Sequence, residues 1–162
     1  MPRYLIFSDV HANFAAMERV IYAAGSVDGY VFLGDVVSYG PQPLECVKML
    51  KELNPIAIIG NHDKQIIEFY KGDYQSPSGA LEWDLWTARQ LDDEAISYLE
   101  SLPETMKIQL NKKTCFLNHH QDFEIPKDST CDVYLAGHTH HKVIKKEQNK
   151  WYINPGSVSQ QR

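Results

Sequence analysis

The sequence predicts an α/β protein, and three observations lead there. Short apolar runs alternate with helix-like segments through the N-terminal half. Strand-like runs then crowd the C-terminal half. Five of the runs end directly in His, Asp or Asn, and in open α/β sheets functional groups collect beyond the carboxyl ends of strands.

The elements follow in order. Tyr4 to Phe7 is a strand that delivers Ser8-Asp9-Val10-His11. Asn13 is a good N-cap, and Phe14, Met17, Val20, Ile21 and Ala24 recur at helical spacing before Gly25. Tyr30 to Leu33 is the next strand, closed by Gly34-Asp35. Pro41 and Pro43 open a second helix with Leu44, Val47, Leu50 and Leu53 facing inward. Pro55 to Ile59 is a third strand, ending in Gly60-Asn61-His62-Asp63, with Asp63 placed to cap a following helix. Ala80 to Leu91 is helical, and its Trp83 and Trp86 are read as core. Asp92 caps a further helix carrying Ile96 and Leu99, stopped near Pro103. Met106 to Leu110 and Thr114 to Leu117 form a hairpin that delivers His119-His120. Val133 to Ala136 delivers Gly137-His138-Thr139-His140-His141. A second hairpin, Val143 to Lys146 with Trp151 to Ile153, precedes Asn154-Pro155-Gly156-Ser157.

Composition narrows the function classes. The 162 residues suit one domain, 1–162, with no internal repeat or linker-like stretch. Hydrophobic residues at 43% and charged residues at 23% exclude a disordered chain. A net charge of −5 argues against nucleic acid as partner, and a phosphate ligand would need positive charge from elsewhere, such as metal ions. Cys46, Cys115 and Cys131 form no CxxC pair, which argues against a disulfide framework or thiolate zinc site and points to the cytoplasm. The N-terminal apolar run is too short for a signal peptide. No later run could span a membrane, so no membrane partner is expected. A homo-oligomer is left open.

All seven histidines follow strand-like runs. Asp9 and His11 stand two apart, as do His138 and His140, so each pair can grip one ion. Asp35, Asn61 and one of His119 and His120 add three more candidates. One ion takes about four to six ligands, so seven candidates imply two ions sharing a bridging carboxylate. Imidazole, carboxylate and amide donors without thiolate favour Mn, Fe, Zn or Ni over Ca. His141 is read as a surface residue outside the site.

Asp9-Val10-His11, Gly34-Asp35, Gly60-Asn61-His62-Asp63, His119 and Gly137-His138-Thr139-His140 together resemble the calcineurin-like metallophosphoesterase superfamily. Gly34 to Pro41 and Asn154 to Val158 look most like its small bacterial and archaeal phosphodiesterase branch. The resemblance implies a two-sheet β-sandwich flanked by helices, an αββα fold. It implies hydrolysis of a small phosphate ester by a hydroxide bridging two divalent ions, with manganese ahead of iron, zinc and nickel. Asp9, His11, Asp35 and His140 would hold the first ion. Asp35, Asn61, His119 and His138 would hold the second. Asn61 would also hold the phosphate, His62 would protonate the leaving oxygen, and Asp63 would orient His62.

The chain departs from its relatives in two ways. His120 stands where they usually have Gly. The segment from Gln121 to Asp132 is shorter than the cap found there in many of them, which implies a more open pocket. The related protein phosphatases and diadenosine-tetraphosphate hydrolases usually carry Arg in a GD-x-V-x-R-G pattern. Val37-Ser38-Tyr39-Gly40 has none, which favours a diester over the more highly charged monoester. Two alternatives stand beside the phosphodiesterase: a phosphomonoesterase or nucleotide phosphatase, and a non-catalytic scaffold like the retromer subunit that shares this fold.

Overall fold

The computed structural model describes residues 1–73, 81–120 and 130–161. Three parallel strands form the first sheet: β1 (Tyr4–Phe7), β2 (Gly29–Phe32) and the short β3 (Ile56–Ala57), in the order β1-β2-β3. The second sheet has five strands, β4 (Thr105–Leu110), β5 (Lys113–Asn118), β6 (Val133–Leu135), β7 (Lys142–Glu147) and β8 (Lys150–Pro155), ordered β4-β5-β6-β8-β7. Strands β5, β6 and β8 run parallel, while β4 and β7 are added as antiparallel hairpin partners. Both hairpins turn on two left-handed residues, Asn111-Lys112 and Gln148-Asn149, the geometry that matches the twist of paired strands.

Strand alternation builds two cores from one sheet. Leu5, Phe7, Tyr30, Phe32 and Ala57 face the helices, whereas Tyr4, Ile6, Val31, Leu33 and Ile56 face the second sheet. The helical layer comprises α1 (Phe14–Ala24), α2 (Pro43–Leu53), α3 (Asn61–Lys71), α4 (Leu81–Gln90) and α5 (Asp93–Glu100). Met17, Val47, Leu50, Ile66 and Leu99 are their innermost residues. The second sheet answers with Cys115, Leu117, Leu135 and Ile153. The architecture is therefore the α/β sandwich of two sheets flanked by helices. Phe116, Tyr134, Tyr152 and Cys131 form a small separate cluster, and strand alternation assigns it to the far face of the second sheet.

The caps follow the sequence. The Asn13 side chain accepts from the Ala16 amide at 3.1 Å, and Asp92 accepts from Ala95 at 2.8 Å. Helix α3 starts earlier than its acidic residue implies. Gly60 is the N-cap, so Asn61, His62 and Asp63 already lie in the first turn. Trp83 and Trp86 are not core. They stack on each other with centroids 4.7 Å apart, and Trp83 is 43% exposed. The buried stripe of α4 is one step round the helix, at Asp84, Thr87 and Ala88. Ala80, Phe123 and most of the Gln121–Asp132 segment lie outside the described residues.

The core assignment is tested by truncation. Leu50→Ala, at a fully buried position, is expected to lower the unfolding free energy by about 2–5 kcal/mol in urea titrations. Ile144→Ala, 63% exposed on the edge strand β7, should change it by less than about 0.5 kcal/mol. Equal losses at the two sites would contradict the layering.

Candidate metal centre

Every motif singled out in the sequence arrives at one edge, because β1, β2, β3 and β5, β6 each end there. Two groups of ligand atoms result. In the first, Asp9, His11 and His140 converge, with His11 Nε2 3.0 Å from His140 Nε2 and His140 Nε2 3.3 Å from Asp9 Oδ1. In the second, Asp35, His119 and His138 converge. Asn61 joins them through Oδ1, which lies 3.1 Å from His119 Nε2 and 2.9 Å from His138 Nδ1. All seven sequence candidates are thus brought together.

Of the pair His119-His120, His119 joins the cluster and is buried, while His120 is exposed and meets His119 and His138 edge-on. His141 is exposed yet lines the rim of the site cavity of about 380 Å³.

Asp35 links the groups through one oxygen. Its Oδ2 lies 3.1 Å from His119 Nε2 and 4.0 Å from His11 Nε2. Its Oδ1 accepts from the His62 backbone amide at 2.9 Å. Gly60 makes this approach feasible, since a Cβ there would stand 2.0 Å from Asp35 Oδ1. Carbonyl groups set two of the rings. His11 Nδ1 lies 3.3 Å from the Val37 carbonyl and His119 Nδ1 2.6 Å from that of Leu33, so each N–H is spent on backbone and each Nε2 faces the cluster.

One expected role is corrected. Asp63 does not orient His62. Its carboxylate accepts from the backbone amides of Asp35, Val36, Val37 and Gly60 at 2.8–3.1 Å. Position N3 of α3 turns it back onto its own helix start and the loop after β2, away from the His62 ring. His62 Nε2 instead lies 3.1 Å from the Tyr39 hydroxyl.

Three residues outside the predicted ligand and catalytic set also shape the site. Asn154 Nδ2 donates to the Gly137 carbonyl at 2.6 Å, and Ser157 Oγ donates to the Asp9 carbonyl at 2.7 Å, tying the C-terminal segment to both ligand loops. Tyr39 is the third. The stretches Gly34 to Pro41 and Asn154 to Ser157 hold all three, but neither shows which side chain turns toward the site.

Electrostatics fit the site to cations. Asp9 and Asp35 are at most 1% exposed, and buried carboxylates need charge partners. Burial, opposed by Ser8 and His119, raises the Asp9 carboxyl to about 7. Burial also pushes Asp35 up, but the hydrogen bond and charge of His119 overcome it and hold Asp35 at about 2. Burial lowers His119, and its bond to Asp35 more than reverses this, raising it to about 9. Burial holds His11 at about 4. Without metal, the pair Asp35–His119 is therefore ionic and His11 neutral. The oxygen and imidazole donors, with Nε2 atoms already directed inward, suit two divalent ions of the Mn, Fe, Zn or Ni type.

A sandwich of this topology, with two imidazole–carboxylate groups at its strand ends, is the architecture of a phosphoesterase. The chain belongs to the calcineurin-like phosphoesterase superfamily, whose domain model matches residues 3–162. It is 28% identical to an uncharacterised protein of Methanocaldococcus jannaschii, over 97% of this chain and 76% of that protein. Phosphodiesterase YfcE of Escherichia coli is 26% identical, over 98% of this chain and 80% of that enzyme. The crystal structure of a metallophosphoesterase from Sphaerobacter thermophilus superposes with a TM-score of 0.75 at 31% identity, covering 99% of this chain and 78% of that one. No described helix is long and apolar enough to cross a membrane.

A metal held by His119 Nε2 must displace its proton, because only the neutral ring has a lone pair to offer. Loading divalent metal at about pH 7.5 is therefore expected to release protons, chiefly from His119 and in part from Asp9. Apparent affinity should rise with pH until His119 is already deprotonated, above about 9. Calorimetry in buffers of different ionisation enthalpy measures the release. Loading without proton release would contradict the ligand assignment.

Proposed function

We propose that the protein is a metal-dependent phosphoesterase that hydrolyses small phosphodiesters. The observation that carries this reading is the single Asp35 oxygen facing two converged ligand groups. Asp9, His11, Asp35 and His140 are assigned to one ion, and Asp35, Asn61, His119 and His138 to the other. When bound, two such ions neutralise the phosphate and lower the pKa of a captured water, making hydroxide available at neutral pH. Manganese is the first candidate for both.

The chain's own residues do the rest. Asn61 turns its carbonyl oxygen to His119 and His138 and holds a phosphate oxygen through its amide N–H. His62, on the first turn of α3, gives a proton to the departing oxygen. Asp63 fixes the loop after β2 from below, and so holds Asp35 in register with α3.

Preference for a diester rests on charge. The residues lining the cavity include histidines, Tyr39 and Thr139 but, among those described, no Lys or Arg. A diester carries less charge than a monoester and needs fewer fixed cations. Phosphodiesterase YfcE, which shares about a quarter of its residues with the chain, points the same way. Three free, buried cysteines fit a reducing cytoplasm as the place of action. The complete donor set, with His62 beside it, favours an enzyme over a scaffold.

Elemental analysis and turnover test the reading together. Wild type is expected to carry two divalent ions and to cleave bis-p-nitrophenyl phosphate faster than p-nitrophenyl phosphate. Asp35→Asn should lose both the ion pair and activity. His62→Ala should keep the ions and lose about 10²–10⁴-fold in kcat. Metal-loaded wild type inert on both esters would contradict the proposal, and a reversed ester ratio would make the enzyme a monoesterase.

A further inference from the structure

Tyr39 sits in the loop between β2 and α2, and its backbone is held in an unusual way. Ser38 and Tyr39 both adopt left-handed backbone angles, φ 74° and 62°, in residues that seldom do. Such geometry persists only where surroundings impose it. Here they do. Asp63 anchors the amides of Val36 and Val37, Ser38 Oγ donates to buried Asp84 at 3.3 Å, and the Gly40 amide closes on the Ser38 carbonyl at 2.8 Å. Gly40 packs so tightly that a Cβ would lie 2.3 Å from the His11 carbonyl oxygen.

The outcome is a phenol aimed across the cavity. Its ring stands edge-on to His11 and His62, with centroids 4.8 and 4.7 Å away, and its hydroxyl lies 3.1 Å from His62 Nε2. The other ring nitrogen of His62, Nδ1, is buried and has no hydrogen-bond partner among the described residues. Among the described residues, hydrogen bonding therefore holds the ring through Nε2. That is the atom facing both the cavity and Tyr39.

We infer that Tyr39 is the positioning residue of His62, holding Nε2 at the cavity toward the leaving-group oxygen until the proton is given up. The inference rests on the phosphoesterase reading. In the step, the bond from phosphorus to the leaving oxygen breaks as the bond to the attacking water oxygen forms. The proton on His62 Nε2 passes to the leaving oxygen from the imidazolium form, which becomes a neutral ring with its remaining proton on Nδ1. Beforehand the phenol oxygen accepts from Nε2–H. Afterwards the phenol O–H donates to the bared Nε2. The phenol keeps its own proton throughout, so it acts only through His62.

Tyr39→Phe keeps the ring and removes the hydroxyl. It is tested on bis-p-nitrophenyl phosphate and on diphenyl phosphate, whose phenolate leaves less readily and depends more on the proton. Expected are unchanged metal content and KM, a kcat on diphenyl phosphate lowered about tenfold or more, and a much smaller loss on the nitrophenyl ester. In a His62→Ala background the substitution should add nothing. In metal-free protein, ¹⁵N spectra should show the His62 Nε2 resonance displaced by Tyr39→Phe. Equal losses on the two esters, a loss that persists without His62, a loss of metal, or an unmoved Nε2 resonance would each overturn the assignment. Wild type inert on both esters would overturn the phosphoesterase reading itself, and this inference with it.

Discussion

A carboxylate withdrawn from water organises the molecule. Asp35, at the end of β2, is 1% exposed, and its polar atoms are claimed by three parts of the chain. Its Oδ1 takes the amide of His62 at the start of α3, its Oδ2 faces His119 from β5 and His11 from the loop after β1, and its amide N–H is given to Asp63. Removing such a charge from water costs several kcal/mol unless opposite charge meets it. In the metal-free protein the His119 imidazolium does so, and cations are suited to the same place. The two sheets are thus joined at their functional edge by a charge that neither sheet satisfies alone.

The loops around Asp35 carry strain in proportion to their chemistry. Asp9, His11, Asp35, His138 and His140 all have positive φ, a conformation that costs non-glycine residues about 1–3 kcal/mol each. Backbone bonds offset it: the His11 and Ala12 amides donate to the Asp35 and Val36 carbonyls, and Asn154 and Ser157 brace the far side. The apolar layers beneath are ordinary in kind. They supply the rigidity that lets three loops hold left-handed turns against solvent, and a site that is preformed in this way has little reorganisation left to undergo when it binds cations.

Much of this was legible from residue order. Alternating apolar runs locate all eight strands within a residue or two at each end, and the Asn13 and Asp92 caps lie where short polar side chains precede helical periodicity. The strand β3 is shorter than its apolar run, because Ile58 and Ile59 continue the chain with single bonds to Phe32 and Pro103. The seven candidate ligands were visible because His, Asp and Asn at strand ends have few structural reasons to recur. What escaped depends on side-chain direction. Asp63 and His62 are neighbours in sequence, but on a helix adjacent residues point about 100° apart, so Asp63 serves backbone and Tyr39 meets the ring. Trp83 and Trp86 lie outside the core for a related reason, since the buried stripe of α4 follows Asp84, Thr87 and Ala88.

The proposed function requires Asp35 to serve both cations, with Asp9, His11 and His140 on one and Asn61, His119 and His138 on the other. Anomalous diffraction from crystals of manganese-loaded protein tests it most directly. The account predicts two anomalous peaks, one among Asp9, His11 and His140 and the other among Asn61, His119 and His138, both in contact with Asp35. A single peak, or density away from this carboxylate, would contradict it.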